Sequence, residues 1–329
     1  MSERSPDSSI VQSVHVHPKR IPGLIRIVRH MRALLHTWVI AVITRAMVWG
    51  TKRRAGRLLV FEALPERLAL ALHPQESYVV NASDKVIGRS IYVNGQFDFQ
   101  KFETACHLIQ MHAGLEQEAI LIDAGANIGS ICIPAVKRGL VARAIAFELD
   151  PENVRLLRIN AILNGVDDRI EILNTAVGAA PGQVSIQHSP SNFGDHRVQV
   201  VDRGRALAAD MSIAMVDLDS IADDLDLSRT ILWMDIQGFE AFALQGAQRY
   251  VSVGVPLIAE FSREELESTG SFDTFLSLIV ASGYAVFFDL NAPQPTAVPV
   301  NRKTLLALSD RLVKQNTFTD LLFLPASTA

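Results

Sequence analysis

Residues 121–130 read Leu121-Ile122-Asp123-Ala124-Gly125-Ala126-Asn127-Ile128-Gly129-Ser130, and the reading of this stretch decides the fold. An apolar strand runs into a glycine turn and a helix follows at once, the form of a strand–turn–helix unit that binds a ligand at its turn. Gly125 allows close approach of the backbone to a ligand, and Gly129 allows the helix to pack tightly on the strand. The helix start offers free N–H groups and a positive dipole end, which suit a carboxylate. Asp123, ending the strand, is placed to meet an ammonium group. A ligand with both charges on one carbon is an amino acid.

Outward from this unit, short apolar runs alternate with helical periods, the pattern of parallel strands joined by crossover helices. The strands are predicted at Ala119–Ala124, Arg143–Leu149, Ile170–Asn174, Ile231–Ile236, Pro256–Phe261, Tyr284–Asp289 and Asp320–Pro325. A helix over Pro151–Asn164 starts with proline at a first-turn position and stops at Asn164-Gly165. The fold class is therefore α/β, a Rossmann-like sheet with helices on both faces over residues 119–329. Residues 58–118 carry weaker alternation, at Ser77–Val80 and Arg89–Val93, and predict a small β-containing lead-in. Residues 183–215 break the rhythm, which predicts a functional loop with a short hairpin.

Acids recur where strands end. Glu148 closes Ile145-Ala146-Phe147, 25 residues after Asp123, the position at which Rossmann-like sheets hold a ribose diol with a carboxylate. An amino-acid site beside a ribose site points to S-adenosylmethionine. Asp235 ends Leu232-Trp233-Met234, Gly238 permits a tight exit, and Glu240 begins the next helix, as a substrate ligand or as a partner of the helix dipole. Glu260 ends Leu257-Ile258-Ala259. Four strands thus end in Asp123, Glu148, Asp235 and Glu260, and their convergence predicts an active cleft.

These motifs resemble, in order, those of the FkbM methyltransferases: Asp123 to Gly129, Phe147-Glu148 with Pro151 and Asn153, Asn192-Phe193-Gly194, Met234 to Glu240 with Gly246-Ala247, and Ala259-Glu260. The resemblance covers about Glu118 to Phe261 and implies a class I methyltransferase sheet with S-adenosyl-L-methionine as cofactor. It implies transfer of a methyl group, usually to a hydroxyl oxygen. By position, Asp123, Gly125, Asn127, Gly129 and Glu148 would bind the cofactor. Trp233 departs from the family, which commonly has a lysine there.

Removing a hydroxyl proton requires a base within hydrogen-bond reach. Asp235 is the favoured one, with Glu240, Glu260, His188 and His196 as further candidates on the substrate side, and no metal is expected. A nicotinamide dehydrogenase is disfavoured because Asn127 stands where the second glycine of G-x-G-x-x-G belongs. The rival from another class is an idle S-adenosylmethionine-binding or assembly subunit. The acceptor is expected to be a small molecule, a sugar or a lipid-linked glycan, and the net charge of −4 gives no argument for nucleic acid.

The charge is unevenly spread. Ten Lys or Arg and no acid fall between Ser8 and Phe61. Residues 24–49 predict an amphipathic helix, with Leu24, Met31, Leu35, Trp38 and Val42 on its apolar face and Arg26, Arg29 and Arg32 opposite. Only twelve residues separate Arg32 from Arg45, too few for the roughly 20 apolar residues of a membrane span. The helix either covers protein or lies on an anionic membrane. No secretory leader is expected, and two unrelated cysteines make neither a zinc site nor a disulfide framework, consistent with a cytoplasmic protein.

Overall fold

The computed structural model describes residues 53–65, 68–114, 118–187, 197–200 and 212–326, with Met31, Trp38, Val39, Ala41 and Val42. The chain divides into two compact units, residues 1–56 and 57–329. In the first, the five isolated residues are helical, and Met31, Trp38, Val39 and Val42 are exposed. The rest of the helix expected over 24–49 lies outside the described residues.

The second unit is built on an eight-stranded sheet. Strands β3 (Ile120–Ala124), β4 (Arg143–Phe147), β5 (Ile170–Leu173), β10 (Thr230–Met234) and β11 (Leu257–Phe261) run parallel. β14 (Thr319–Pro325) runs antiparallel between β11 and β12 (Tyr284–Asp289), and β13 (Val298–Pro299) closes one edge, giving the order β13-β12-β14-β11-β10-β3-β4-β5. Every residue of β3, β10 and β11 is buried, as expected of strands covered on both faces. Alternate side chains feed two cores. Leu121, Ile231, Trp233 and Ile258 pack on one face, and Ile122, Leu232, Met234 and Leu257 on the other.

The seven predicted strands fall where the apolar runs place them, with ends moved by one or two residues, but β14 runs antiparallel instead of parallel because its pairing with β11 and β12 sets its direction. Helices α1 (Arg54–Ala63) and α4 (Cys132–Lys137) are short, and helix α5 (Pro151–Asn164) has the expected bounds. Asp150 caps it by accepting the N–H groups of Glu152 and Asn153, and Gly165 stops it in the left-handed conformation.

The lead-in differs from its reading in one element. β1 (Leu68–Leu72) and β2 (Ser77–Asn81) form a hairpin, but Arg89–Val93 lies in helix α2 (Ile87–Asn94), not in a strand. The reason is Asp84, whose carboxylate accepts the N–H groups of Val86, Ile87 and Gly88 at 3.0, 3.2 and 2.8 Å and so nucleates a helical turn. Before the motif strand comes a longer helix, α3 (Phe99–His112). In the irregular stretch, β7 (Gly182–Gln187) and β8 (Arg197–Val200) make the expected hairpin and join β6 (Ala176–Val177) and β9 (Ser212–Val216) in a second, four-stranded sheet.

Two asparagines of α5 tie the lead-in to the motif turn. Asn160 accepts the Val79 N–H at 2.6 Å and donates to the carbonyls of Val79 and Ile128 at 3.2 and 3.0 Å. Asn164 brackets Ser77 in the same way, at 3.0 and 2.7 Å. Side-chain amides here pair with β2 as a neighbouring strand would. Asn160→Ala removes the side-chain partner of one buried and two half-buried backbone groups, and urea unfolding is expected to show a loss of about 2–3 kcal/mol.

Candidate functional site

Strand register sets out the site. Phe147, Ala124, Met234, Ala259 and Leu321 stand side by side across β4, β3, β10, β11 and β14. The next residue toward the same edge is Glu148, Gly125, Asp235, Glu260 and Asp320 in turn. At ~4.8 Å per strand, the row spans about 19 Å. All five residues line one cavity of about 200 Å³, whose other walls include Phe97 and Asp98 from the lead-in and Trp233 from β10.

The motif turn closes one end of the cavity. Gly125 has φ +89°, and a β-carbon there would lie 1.9 Å from the Asp235 carbonyl oxygen. The glycine is required by the exit of β10, a neighbouring backbone, as well as by any ligand. Gly129, at φ +93°, has a β-carbon position 2.4 Å from Ile133 and 2.6 Å from Leu157, so it serves helix packing as expected. Several N–H groups of the turn are taken by the protein's own side chains. Glu148 accepts the Asn127 N–H at 2.8 Å, Asn127 accepts that of Ile128 at 2.8 Å, and Asp123 accepts that of Cys132 at 3.2 Å.

Glu148 accepts a second N–H, from Asp150, at 2.8 Å. Its two oxygens are thereby fixed, one on each N–H, in an orientation from which a carboxylate can also accept bonds from a ribose diol. Asp123 lies fully buried, off the cavity wall, and its Oδ1 has no hydrogen-bond partner. Burial pushes its carboxyl up to about 7, against the hydrogen bonds from Cys132. An orphaned buried acid and a fixed carboxylate beside a side-chain-free turn fit a cationic nucleoside ligand.

The other end of the row is acidic. Gln237, at φ +55°, donates Nε2 to Asp235 Oδ1 at 2.7 Å and to Glu260 Oε2 at 3.2 Å. Burial pushes Asp235 up to about 6 and Glu260, which also feels Asp235 and Glu265, well above the carboxylate range. Lys101 of α3 reaches Asp320 Oδ2 at 2.6 Å and Asp98 Oδ1 at 3.1 Å. Asp320 is nonetheless held at about 6 by burial. No role at the site was assigned from the sequence to Asp98, Lys101, Gln237 or Asp320.

The remaining candidates are not brought together. Glu240 is buried off the cavity wall, where its Oε1 accepts the Ile236 N–H at 3.0 Å and closes the turn after β10. His188 and His196 lie outside the described residues. Trp233 packs edge-on against Phe102, with ring centroids 6.0 Å apart. Among the described residues no group of three or more His, Cys, Asp or Glu is arranged to hold a metal ion.

A parallel sheet with one antiparallel strand inserted beside β11, and a ligand site across its carboxyl edge, is the class I methyltransferase arrangement. Residues 123–286, about half of the chain, match the Methyltransferase FkbM domain. The chain belongs to the FkbM family of methyltransferases, and its cofactor is S-adenosylmethionine. Among solved structures, the FkbM methyltransferase of Methylobacillus flagellatus is 17% identical, with 84% of this chain and 60% of that chain covered and a TM-score of 0.40. TYW2 of M. jannaschii in complex with AdoMet is 10% identical over 80% of this chain and 88% of that one, at a TM-score of 0.39. The ribosomal protein L11 methyltransferase of Shigella sonnei is 43% identical over 53 residues, 16% of this chain and 18% of that protein. The chain spans about a fifth of the length of the curated relatives it matches.

Glu240 supplies a test of the buried acids. Burial pushes its carboxyl up to about 8 from an ordinary 4.5. The folded state therefore binds the proton more tightly than the unfolded state, and stability falls as pH rises from about 4.5 to about 8. Glu240→Gln keeps an oxygen for the Ile236 N–H and removes the titration. Differential scanning calorimetry of the ligand-free protein should show a melting temperature that declines from pH 5 to pH 8, and declines less in the variant.

Proposed function

We propose that this protein transfers a methyl group from S-adenosylmethionine to a hydroxyl oxygen of a small molecule, a sugar or a lipid-linked glycan. The observation that carries the reading is the row Glu148–Gly125–Asp235–Glu260–Asp320 along one edge of the sheet. Glu148 would hold the cofactor ribose, with Gly125, Asn127 and Gly129 shaping the turn beneath it. Asp123 would act on the cofactor's ammonium group through the field of a buried carboxyl. The acceptor would lie toward Glu260 and Asp320.

S-adenosylmethionine supplies a methyl carbon already activated by its positively charged sulfur. The chain has to align the acceptor oxygen and take its proton, and alignment alone can lower the barrier by several kcal/mol. Asp235 stands between the two halves of the row and accepts a hydrogen bond from Gln237, which fixes its orientation. A carboxyl raised to about 6 is still mostly ionised at pH 7 and is a stronger base than an ordinary carboxylate. Asp235→Asn should retain cofactor binding in calorimetry while losing at least about 100-fold in transfer rate. In the unsubstituted enzyme, turnover should drop as pH falls through about 6, where Asp235 takes up its proton. A variant within threefold of wild type would remove Asp235 as the base.

Residues 24–49 are proposed to attach the protein to anionic membrane. Met31, Trp38 and Val42 share one helical face and are exposed, and an arm rich in Lys and Arg without acids surrounds them. Among the described residues no helix is long and apolar enough to cross a membrane. Deleting residues 1–52, which spares the buried Phe61, should leave the melting temperature unchanged and abolish co-sedimentation with phosphatidylserine vesicles. Co-sedimentation of the full chain should weaken in about 0.5 M salt, because screening shortens the reach of basic residues.

A further inference from the structure

The acceptor half of the cavity gathers several carboxyl groups around one cation. Asp235 is faced by Asp98, which precedes α3, Lys101 from α3, Glu260 from β11, Glu265 from the helix after β11 and Asp320 from β14, with Glu240, Asp123 and Glu148 close by. Among the described residues near it, Lys101 is the cation, and it is already bonded to Asp98 and Asp320. The sharpest contact within this set is the Gln237 clip. One amide nitrogen bonds both Asp235 and Glu260, so their oxygens lie within the ~6 Å at which like charges change one another's protonation. Glu260 is buried and lines the cavity, with Oε2 accepting the clip from Gln237.

We propose that Asp235 and Glu260 share one proton in the ligand-free protein and release it to solvent when the positively charged cofactor binds. The inference rests on the cavity being the cofactor's site. Only Gly125 separates Glu148 from Asp235 in the row, so a sulfonium one methylene away from a ribose on Glu148 comes beside the pair. A positive charge there takes the place of the shared proton.

The charges balance through a full turnover. Binding brings in one positive charge at sulfur and sends one proton from the pair to the buffer. As the acceptor O–H bond breaks and the O–CH₃ bond forms, the pair takes the hydroxyl proton and the sulfur becomes an uncharged thioether. The net charge of this buried site is the same before binding, with cofactor bound and after transfer. The paired acids thereby hold two negative charges only while a cation neutralises one of them, and burial of unneutralised charge is avoided. The carboxyls raised by burial at Asp235 and Glu260 agree with a retained proton.

The test is isothermal titration calorimetry of the full chain at pH 7, in buffers of different ionisation enthalpy. S-adenosylmethionine and its demethylated product, S-adenosylhomocysteine, are titrated in parallel. Binding of the first is expected to release about 0.5–1 proton and binding of the second none, and the affinity ratio should climb toward the limit of about tenfold per pH unit. Asp235→Asn and Glu260→Gln should each bind the product and lose the release. Equal proton counts for the two ligands, or wild-type release in Asp235→Asn, would overturn the proposal. Binding of neither ligand would instead remove the cofactor reading itself, a result that equal proton counts cannot mimic.

Discussion

The absence of a side chain at Gly125 is the constraint on which the site depends. The Asp235 carbonyl occupies the space that a β-carbon would need, so β3 and β10 stay in register to their last residues and their backbones remain in close contact at the turn. Glu148 and Asp235 line the same cavity from either side of the glycine. A residue with any side chain at 125 would push the exit of β10 away, and Asp235, Gln237 and the bond from Gln237 to Glu260 would move with it. The acid row is thus a consequence of sheet register plus one missing atom.

Register also explains which parts of the site were legible in the sequence. Glu148, Asp235 and Glu260 each follow an apolar run directly, and in a parallel sheet the carboxyl ends of strands share one edge, so their convergence could be read from the runs alone. Asp320 stands at the start of its run. It reaches the same edge only because β14 is antiparallel, and the direction of a strand is set by its neighbours, β11 and β12, through pairing that no local pattern records. Lys101 meets Asp320 across 219 positions of sequence for the same reason. The helix at Ile87–Asn94 did have a local signal, in Asp84 placed to cap three N–H groups, but the alternation of Arg89-Ser90-Ile91-Tyr92-Val93 resembled a strand at that length.

A fold that buries Asp123, Glu240, Glu260 and Asp320 and half-buries Asp235 gives up stability at neutral pH, because desolvation favours their uncharged forms and a proton must be held or a cation found. Backbone strain is concentrated in the same place. Of the four described non-glycine residues with positive φ, Asp98, Asn127 and Gln237 line the cavity, and only Asn316, a helix cap, does not. Strain and unneutralised acids persist where surrounding structure over-determines them, and here two cores and the α5 asparagines do so. The same features make a site whose energy changes sharply when a charged ligand enters.

The cavity is assembled from more of the chain than the matched FkbM domain. Glu148, Gly125 and Asp235 fall inside residues 123–286, but Phe97, Asp98, Phe318 and Asp320 fall outside it on both sides. The cation that steadies the acids comes from α3 in the lead-in, and Trp233, in the strand interior, turns an apolar face to the cavity and packs on Phe102 of that same helix. A lysine placed at 233 would instead leave the sheet beside Asp235 and neutralise it directly. With tryptophan there, positive charge enters from the lead-in through Lys101, which bonds Asp98 and Asp320 and only partly offsets the upward push of burial on Asp235. Glu148, Gly125, Asp235 and Glu260 therefore come with the matched domain, whereas Asp320 and its partners Lys101 and Asp98 come from segments that follow and precede it. Differences in acceptor among relatives should then track residues near 97–101 and 318–320 more closely than the motif itself.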